Sequence, residues 1–278
     1  MSNIIDTKFI INREKDILKK TIDKFINKPH LKIISVGANA ANEKYVQNKL
    51  SHCKDVGITT KYINLDKNSE ASQIIDLIKN IDKPYEAIIL QLPLECNKKI
   101  DVQSILENIL PNKDVDGLTI YNQGRLFTGN PFLIPATPLG CITFLKEINY
   151  NLEGKNVLVI GRSQLLGNSL AQVLLQHNAT ITQAHSSSNF KYDKYDVVIS
   201  CVGKPLIFKN ISAEIIIDCG ISFVNKKMVG DVDIDTCNYS YATIPPNKDK
   251  KISGGIGTLT CLCLLQNIIK SFTIQGGY

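Results

Sequence analysis

Short, mostly apolar runs alternate with longer amphipathic stretches along this chain, and few folds tolerate that rhythm. Runs at 31–36, 62–65 and 87–90 are each followed by residues at helical spacing, at 43–56, 69–81 and 101–109. A strand that is apolar on both faces is buried on both, and strands separated by helices pair in parallel through right-handed crossovers. The pattern resumes with a strand at 156–160, a helix at 165–177 and strands at 180–184, 197–202 and 215–219. Between the halves, 124–140 carries Pro131, Pro135, Pro138 and several glycines, which marks a domain junction. A linker helix is predicted over 142–148, and a last helix over 259–272 packs back across the junction. Both halves are therefore α/β.

Composition removes several function classes. The 278 residues suffice for about two domains. With 44% apolar and 21% charged residues the chain is an ordinary globular one rather than a disordered one. No apolar run approaches the ~20 residues of a membrane span. The first twenty residues mix Asp, Glu, Lys and Arg with Ile, unlike a signal or transit peptide. A soluble, unprocessed protein is expected, with no membrane partner. Of the 32 basic residues only Arg13, Arg125 and Arg162 are arginines, and Trp is absent. Nucleic-acid readers use arginine forks and aromatic stacking, so no nucleic-acid partner is expected. The net charge of +6 suits a small polyanion instead. Eight cysteines without a CxxC pair and four scattered histidines predict neither a disulfide scaffold nor a metal site, and they fit a reducing cytoplasm.

The most specific local signal is Val157-Leu-Val-Ile-Gly161-Arg162-Ser163-Gln-Leu-Leu-Gly167. A buried strand entering a glycine turn and then a helix presents backbone N–H groups and a positive helix end to a phosphate. Ser163 holds the second glycine position of the dinucleotide fingerprint, and the last glycine comes one residue late. Alone, the segment also reads as a plain β–α turn. An NAD site needs an acid about 20 residues on for the ribose hydroxyls. No Asp or Glu occurs from Gly154 through Tyr192, and the next strand ends Ala184-His185-Ser186-Ser187-Ser188. With Arg162 after the first glycine, the loop favours NADP over NAD.

In the first half, Tyr45 and Lys49 stand at i,i+4 and share a helix face beside the apolar stripe of Val46, Leu50 and Cys53. A partly desolvated ammonium gives up its proton more easily, and a nearby phenol can orient a ligand. One lysine among so many is by itself unremarkable, so context carries the assignment. A strand ends in Gln91-Leu92-Pro93, at the carboxyl edge where parallel sheets take ligands. The Gln91 amide both donates and accepts, so it can hold a lysine in place. Lys113-Asp-Val-Asp-Gly117 sets two carboxylates beside a turn, as a cap or as acceptors for the paired N–H groups of an aminopyrimidine-like ring.

Taken in order, these segments resemble the bifunctional methylenetetrahydrofolate dehydrogenase/cyclohydrolases. The likeness runs from about Val36 to Thr260 through Tyr45-Val-x-x-Lys49, Gln91-Leu-Pro-Leu94, Lys113-Asp-Val-Asp-Gly117, Asn122-x-Gly-Arg125 and Pro135-x-Thr-Pro-x-Gly140. It continues through Gly161-Arg-Ser163, His185-Ser186, Val202-Gly-Lys-Pro205, Ile217-Asp-Cys-Gly220, Val229-Gly-Asp-Val232 and Gly254-Gly-Ile-Gly257.

The resemblance implies two α/β domains with an interdomain cleft, the second a Rossmann-like doubly wound parallel sheet. A folate-binding catalytic domain over 1–138, completed by the helix at 258–278, would adjoin an NADP-binding domain over 139–257. The implied reactions oxidise 5,10-methylenetetrahydrofolate to the methenyl compound with NADP and hydrolyse that to 10-formyltetrahydrofolate. The implied catalytic residues are Lys49, Tyr45, Gln91 and Asp116. Lys49 serves the hydrolysis, Gln91 tunes it, Tyr45 packs on the folate and Asp116 binds the pterin edge. Substrate contacts would add Leu92, Pro93, Gly254, Gly255 and Gly257. Cofactor contacts would be Gly161, Arg162, Ser163, His185, Ser186, Val202, Gly203, Pro205, Gly220 and Ile221, with Arg162 and Ser186 on the 2′-phosphate. A homodimer joined through the cofactor domain is implied as well. The chain departs from the family pattern at Asn42, Ala136, Ser169 and the segment 253–260, before which a polar stretch, 247–251, seats itself as an insertion. Three other readings stand beside this one: a dehydrogenase with weak cyclohydrolase, a non-catalytic folate- or nucleotide-binding relative, and a shikimate-type NADP dehydrogenase.

Overall fold

The computed structural model describes residues 3–37, 40–225 and 227–278. Strand β1 (Asn3–Ile4) leads into helix α1 (Lys8–Asp23), after which β2 (His30–Val36), α2 (Ala40–Val56), β3 (Thr59–Leu65), α3 (Ala71–Lys79) and β4 (Glu86–Leu90) alternate. Two short helices, α4 (Val102–Leu106) and α5 (Ile120–Phe127), follow, and α6 (Ala136–Glu147) opens the second half. Then come β5 (Asn156–Ile160), α7 (Ser169–Leu175), β6 (Thr180–Ala184), β7 (Val197–Ser200) and β8 (Ile215–Asp218). A hairpin of β9 (Ser222–Val224) and β10 (Lys227–Val229), strand β11 (Tyr241–Thr243) and helix α8 (Ile256–Ile274) complete the chain.

One unit comprises 13–136 with 264–278. Its parallel sheet runs β3-β2-β4. Every residue of the central β2 is buried, as a strand covered on both faces requires. That includes Lys32, whose Nζ lies 2.9 Å from both Asp82 Oδ2 and Glu86 Oε2. Without such partners a buried ammonium costs several kcal/mol. The core gathers Ile34, Ile74, Ile88, Leu90, Ile105 and Leu118. Strand order reverses at β2, so the carboxyl ends of β2 and β4 flank the position where open parallel sheets take ligands.

The other unit comprises 3–12 with 137–263. Its six strands run β1-β11-β8-β7-β5-β6, all parallel. Order reverses at β5, the doubly wound arrangement expected, and the switch point lies at the ends of β5 and β7. Leu158, Ile160, Val198, Ile216 and Ala242 fill one face of the core.

Several elements differ from prediction. Residues 3–12, grouped with the first domain on sequence, add an edge strand to the second sheet, Asn3 pairing with Tyr241. The linker helix begins at Ala136 rather than 142, because Pro138 sits in its first turn, where a missing N–H costs nothing. The helix predicted at 165–177 opens with a π turn, Gln164–Asn168, before α7. No membrane-length run was expected, yet α8 is long and apolar enough by length and composition to qualify. Its apolar window is 67% buried in the fold. Asn267 donates to Val115 O and Ile134 O at 2.9 and 2.7 Å, and Ser271 donates to Asn112 O at 2.6 Å. Those polar anchors make α8 a core helix.

Candidate active site

Helix α2 turns Val46 and Cys53 fully inward, and one turn of helix sets Lys49 beside Tyr45 at the edge of that buried face. Lys49 is only 5% exposed. Its Nζ donates to Gln91 Oε1 at 2.9 Å and lies 4.9 Å from the centre of the Tyr45 ring. Gln91 is the first residue beyond β4. Its backbone N–H donates to Ile34 O at 2.8 Å, extending the β2 ladder, and its Nε2 donates to Leu92 O at 3.0 Å. With the amide nitrogen so occupied, the oxygen faces the lysine. No carboxylate pairs with Lys49 among the described residues, and the ammonium keeps two further N–H donors for a ligand. Leu92 is half-buried and Pro93 exposed beside them, joined by a cis peptide.

The two carboxylates of the Lys113–Gly117 turn divide their tasks. Asp114 is buried and accepts from Thr119 N–H at 2.8 Å and Asn122 Nδ2 at 2.9 Å. Burial raises its carboxyl above the usual range against those donors. The turn docks on β4 where Ile88 N–H donates to Lys113 O at 2.8 Å. Asp116 stays half-buried, and no hydrogen bond joins it to Lys49 or Gln91 among the described residues. The first acid folds the turn, and the second keeps partial exposure.

All ten residues expected to meet the cofactor lie in loops at the carboxyl ends of adjacent parallel strands. Gly161, Arg162 and Ser163 follow β5, His185 and Ser186 follow β6, Val202, Gly203 and Pro205 follow β7, and Gly220 and Ile221 follow β8. Gly161 has φ +131°, which side-chain-bearing residues rarely adopt, and a Cβ there would sit 2.7 Å from Cys201 O. A Cβ on Gly167 would overlap Gly161 O, so the helix packs against the turn only because Gly167 is bare. Such a bare glycine turn leaves the backbone N–H groups open to close approach by a phosphate. Arg162, Ser163 and Ser186 are exposed at its rim, and no carboxylate pairs with Arg162 among the described residues. Arg162 is therefore available to an extra phosphate. His185 Nδ1 accepts from Ser187 N–H at 3.2 Å, which puts the proton of a neutral ring on Nε2.

Gly254, Gly255 and Gly257, expected at the folate, lie in the cofactor unit at the start of α8. A Cβ on Gly257 would stand 3.6 Å from Ile221 Cδ1, so this segment adjoins the cofactor loops. Thr7 and Asp6, which no sequence signal singles out, brace it. Thr7 Oγ1 donates to Gly255 O at 2.8 Å, and Asp6 Oδ2 accepts from Ser253 N–H at 2.9 Å. Burial pushes the Asp6 carboxyl up, but the N–H donors of Lys8, Ser253 and Gly254 outweigh it and hold the group below its usual range. The polar stretch 247–251 closes as a tight turn, with Asn247 and Ile252 exchanging backbone hydrogen bonds at 2.8 and 2.9 Å.

A dinucleotide cradle on a doubly wound sheet, together with a separate α/β unit carrying a buried lysine, defines a two-domain α/β dehydrogenase. The model of the tetrahydrofolate dehydrogenase/cyclohydrolase catalytic domain matches residues 5–116, and that of the same family's NAD(P)-binding domain matches 135–276. A Rickettsia typhi protein named bifunctional protein FolD is 37% identical, the match covering 98% of each chain. The Geotalea uraniireducens protein of the same name is also 37% identical, over 98% of this chain and 99% of that one. Among solved structures, the bifunctional enzyme FolD from Campylobacter jejuni superposes with a TM-score of 0.90 at 30% identity, covering 99% of both chains. A Trypanosoma brucei FolD, solved with NADP cofactor and inhibitor, superposes at 0.85 with 25% identity, covering 98% of both. The chain belongs to the tetrahydrofolate dehydrogenase/cyclohydrolase family.

Proposed function

We propose that this chain oxidises 5,10-methylenetetrahydrofolate to the 5,10-methenyl compound with NADP and then hydrolyses that product to 10-formyltetrahydrofolate. The observation that carries the reading is the buried Lys49 held by Gln91 at 2.9 Å, in a member of this family. NADP, when bound, supplies the hydride acceptor. Hydride transfer needs no acid or base; it needs the methylene carbon held in place, which is a positioning task. Gly161, Arg162, Ser163, His185 and Ser186 hold the phosphate end of the cofactor, with Arg162 and Ser186 on the 2′-phosphate. Val202, Gly203, Pro205, Gly220 and Ile221 line its remainder. Tyr45 packs on the folate, Leu92 and Pro93 flank it, Asp116 accepts from the pterin edge, and Gly254, Gly255 and Gly257 border the reacting ends.

In the hydrolysis, water oxygen bonds to the methenyl carbon and the bond from that carbon to N5 breaks. One proton returns to N5 and one leaves to solvent. Lys49 Nζ relays the proton. A carboxylate partner would hold the ammonium in its charged form, against a cationic substrate, whereas the neutral Gln91 orients it without that penalty. We further infer a homodimer joined through the cofactor unit, where Ile207 and Phe223 are exposed. We also infer a cytoplasmic location, where free thiols such as these eight persist.

Lys49→Ala tests the assignment. Hydrolysis of 5,10-methenyltetrahydrofolate is expected to fall by about a thousandfold while NADP affinity changes less than about twofold. Retained hydrolysis, or an equal loss of cofactor affinity, removes Lys49 from the role.

A further inference from the structure

Two motifs of the sequence, Ile217-Asp-Cys-Gly220 and Val229-Gly-Asp-Val232, carry aspartates to which the mechanism above gives no task. Both are buried, Asp218 at 1% and Asp231 at 0% exposure. Asp231 Oδ2 accepts from Val202 N–H at 2.8 Å and from Ser200 Oγ at 2.6 Å, and Oδ1 accepts from Lys204 N–H at 2.8 Å. N–H groups two residues apart converge in this way only when the backbone curls into an anion-binding concavity. Gly203 between them has φ +74°. The protein fills this concavity with its own carboxylate. That clamps the loop from beneath and leaves 202–205 exposed on the other side.

Asp218 secures the segment that supplies the clamp. Its Oδ1 accepts from Asp231 N–H at 3.0 Å and Gly220 N–H at 2.9 Å, and its Oδ2 accepts from Val232 N–H at 2.9 Å. A Cβ on Gly220 would overlap Asp231 Oδ1, so the loop after β8 is drawn against the same group. The clamped loop also abuts the phosphate turn, since Cys201 N–H donates to Ile160 O at 2.8 Å. Three neighbouring loops thus take their shape from two buried carboxylates that face away from solvent.

We propose that Asp231 is a positioning residue for the dehydrogenase step, its carboxylate setting the 201–205 loop in the form that receives the cofactor, with Asp218 fixing Asp231 in turn. The inference rests on the cofactor assignment above. Asn in place of Asp231 keeps one acceptor oxygen and turns an NH2 group toward an N–H or hydroxyl donor, so at least one of the three bonds is lost.

The test uses the two activities of the full chain against each other, since hydrolysis of 5,10-methenyltetrahydrofolate consumes no NADP. Wild-type turnover with NADP checks the parent assignment separately. Given that turnover, Asp231→Asn is expected to raise the KM for NADP about tenfold, with kcat at saturating NADP within about threefold and hydrolysis within about twofold. Ser200→Ala, which removes one donor to Asp231 and leaves the carboxylate in place, is expected to raise that KM about threefold. Amide exchange of the peptide 200–206, measured without ligand, is expected to accelerate in Asp231→Asn. An unchanged KM for NADP in Asp231→Asn overturns the proposal. So does an equal loss of both activities, or unchanged exchange at 200–206.

Discussion

Lys49 Nζ donates to Gln91 Oε1 at 2.9 Å, which joins the helix after the central strand of its sheet to the carboxyl end of a neighbouring strand. The pair sets a lysine with no carboxylate partner among the described residues at the point where a parallel sheet takes its ligand. Gln91→Leu removes the acceptor and leaves the ammonium buried without it. Hydrolysis is expected to drop about tenfold to a hundredfold, with little change in the KM for NADP. Gln91→Glu supplies a full countercharge that holds Lys49 as an ammonium, so it too is expected to slow hydrolysis. Steady-state rates with 5,10-methenyltetrahydrofolate check both, and a Glu variant as fast as wild type contradicts the need for a neutral partner.

Arg162 stands exposed at the rim of the glycine turn with no carboxylate paired to it among the described residues. A phosphate there gains a charge-assisted contact that a bare ribose hydroxyl cannot match. Arg162→Ala is expected to raise the KM for NADP at least about tenfold and that for NAD by less than about twofold. Parallel kinetics with the two cofactors measure the ratio, and an unchanged ratio removes Arg162 from the 2′-phosphate site.

Thr7 Oγ1, fully buried, donates to Gly255 O at 2.8 Å. Thr7→Val keeps the shape and deletes the donor, leaving that carbonyl short of a partner. The expected loss of stability is about 1–2 kcal/mol by denaturant unfolding, with a raised KM for the folate. Unchanged values on both counts mean that the 254–257 segment is held by other means.

Burial pushes the Asp218 carboxyl up to about 7, aided by the neighbouring Asp231 and opposed by the N–H donors of Val232, Asp231 and Gly220. In the unfolded chain the same group releases its proton near 3.8. Between those values the folded protein holds a proton that the unfolded chain has lost, so the stability contributed by this group falls as pH rises from about 4 to 7. Asp218→Asn stays neutral throughout. The stability advantage of wild type over the variant is therefore expected to shrink by a few kcal/mol between pH 4.5 and 8. Thermal unfolding at both values measures it. An advantage that grows with pH contradicts the raised carboxyl.

The alternation of strands and helices is legible because β2, β4 and β7 are buried on both faces and so are rich in apolar residues, with His30, Lys32 and Ser35 the polar breaks in β2. Strands β1, β9, β10 and β11 have two or three residues each, too few for any period to show. Helix α1 has Ile11, Leu18 and Ile22 at helical spacing, but the many charged residues between them mask that stripe. The order of motifs points to Lys49, Gln91 and Arg162, and strand order explains why Lys49 and Gln91 meet at one edge of the β3-β2-β4 sheet, while Arg162 follows β5 in the other sheet. Asp231 and Thr7 were not legible as site residues. Asp231 bonds to a residue 29 positions away and Thr7 to one 248 away, and only the folded sheet brings those partners within reach.

The most direct test supplies purified protein with 5,10-methylenetetrahydrofolate and either NADP or NAD, following reduced cofactor, methenyl compound and 10-formyl compound separately. Reduction is expected to be faster with NADP than with NAD, and 10-formyltetrahydrofolate to appear at nearly the rate of reduced cofactor, with little methenyl compound accumulating. Reduced cofactor accompanied by a matching build-up of methenyl compound, or no reduction with either cofactor, would contradict this expectation.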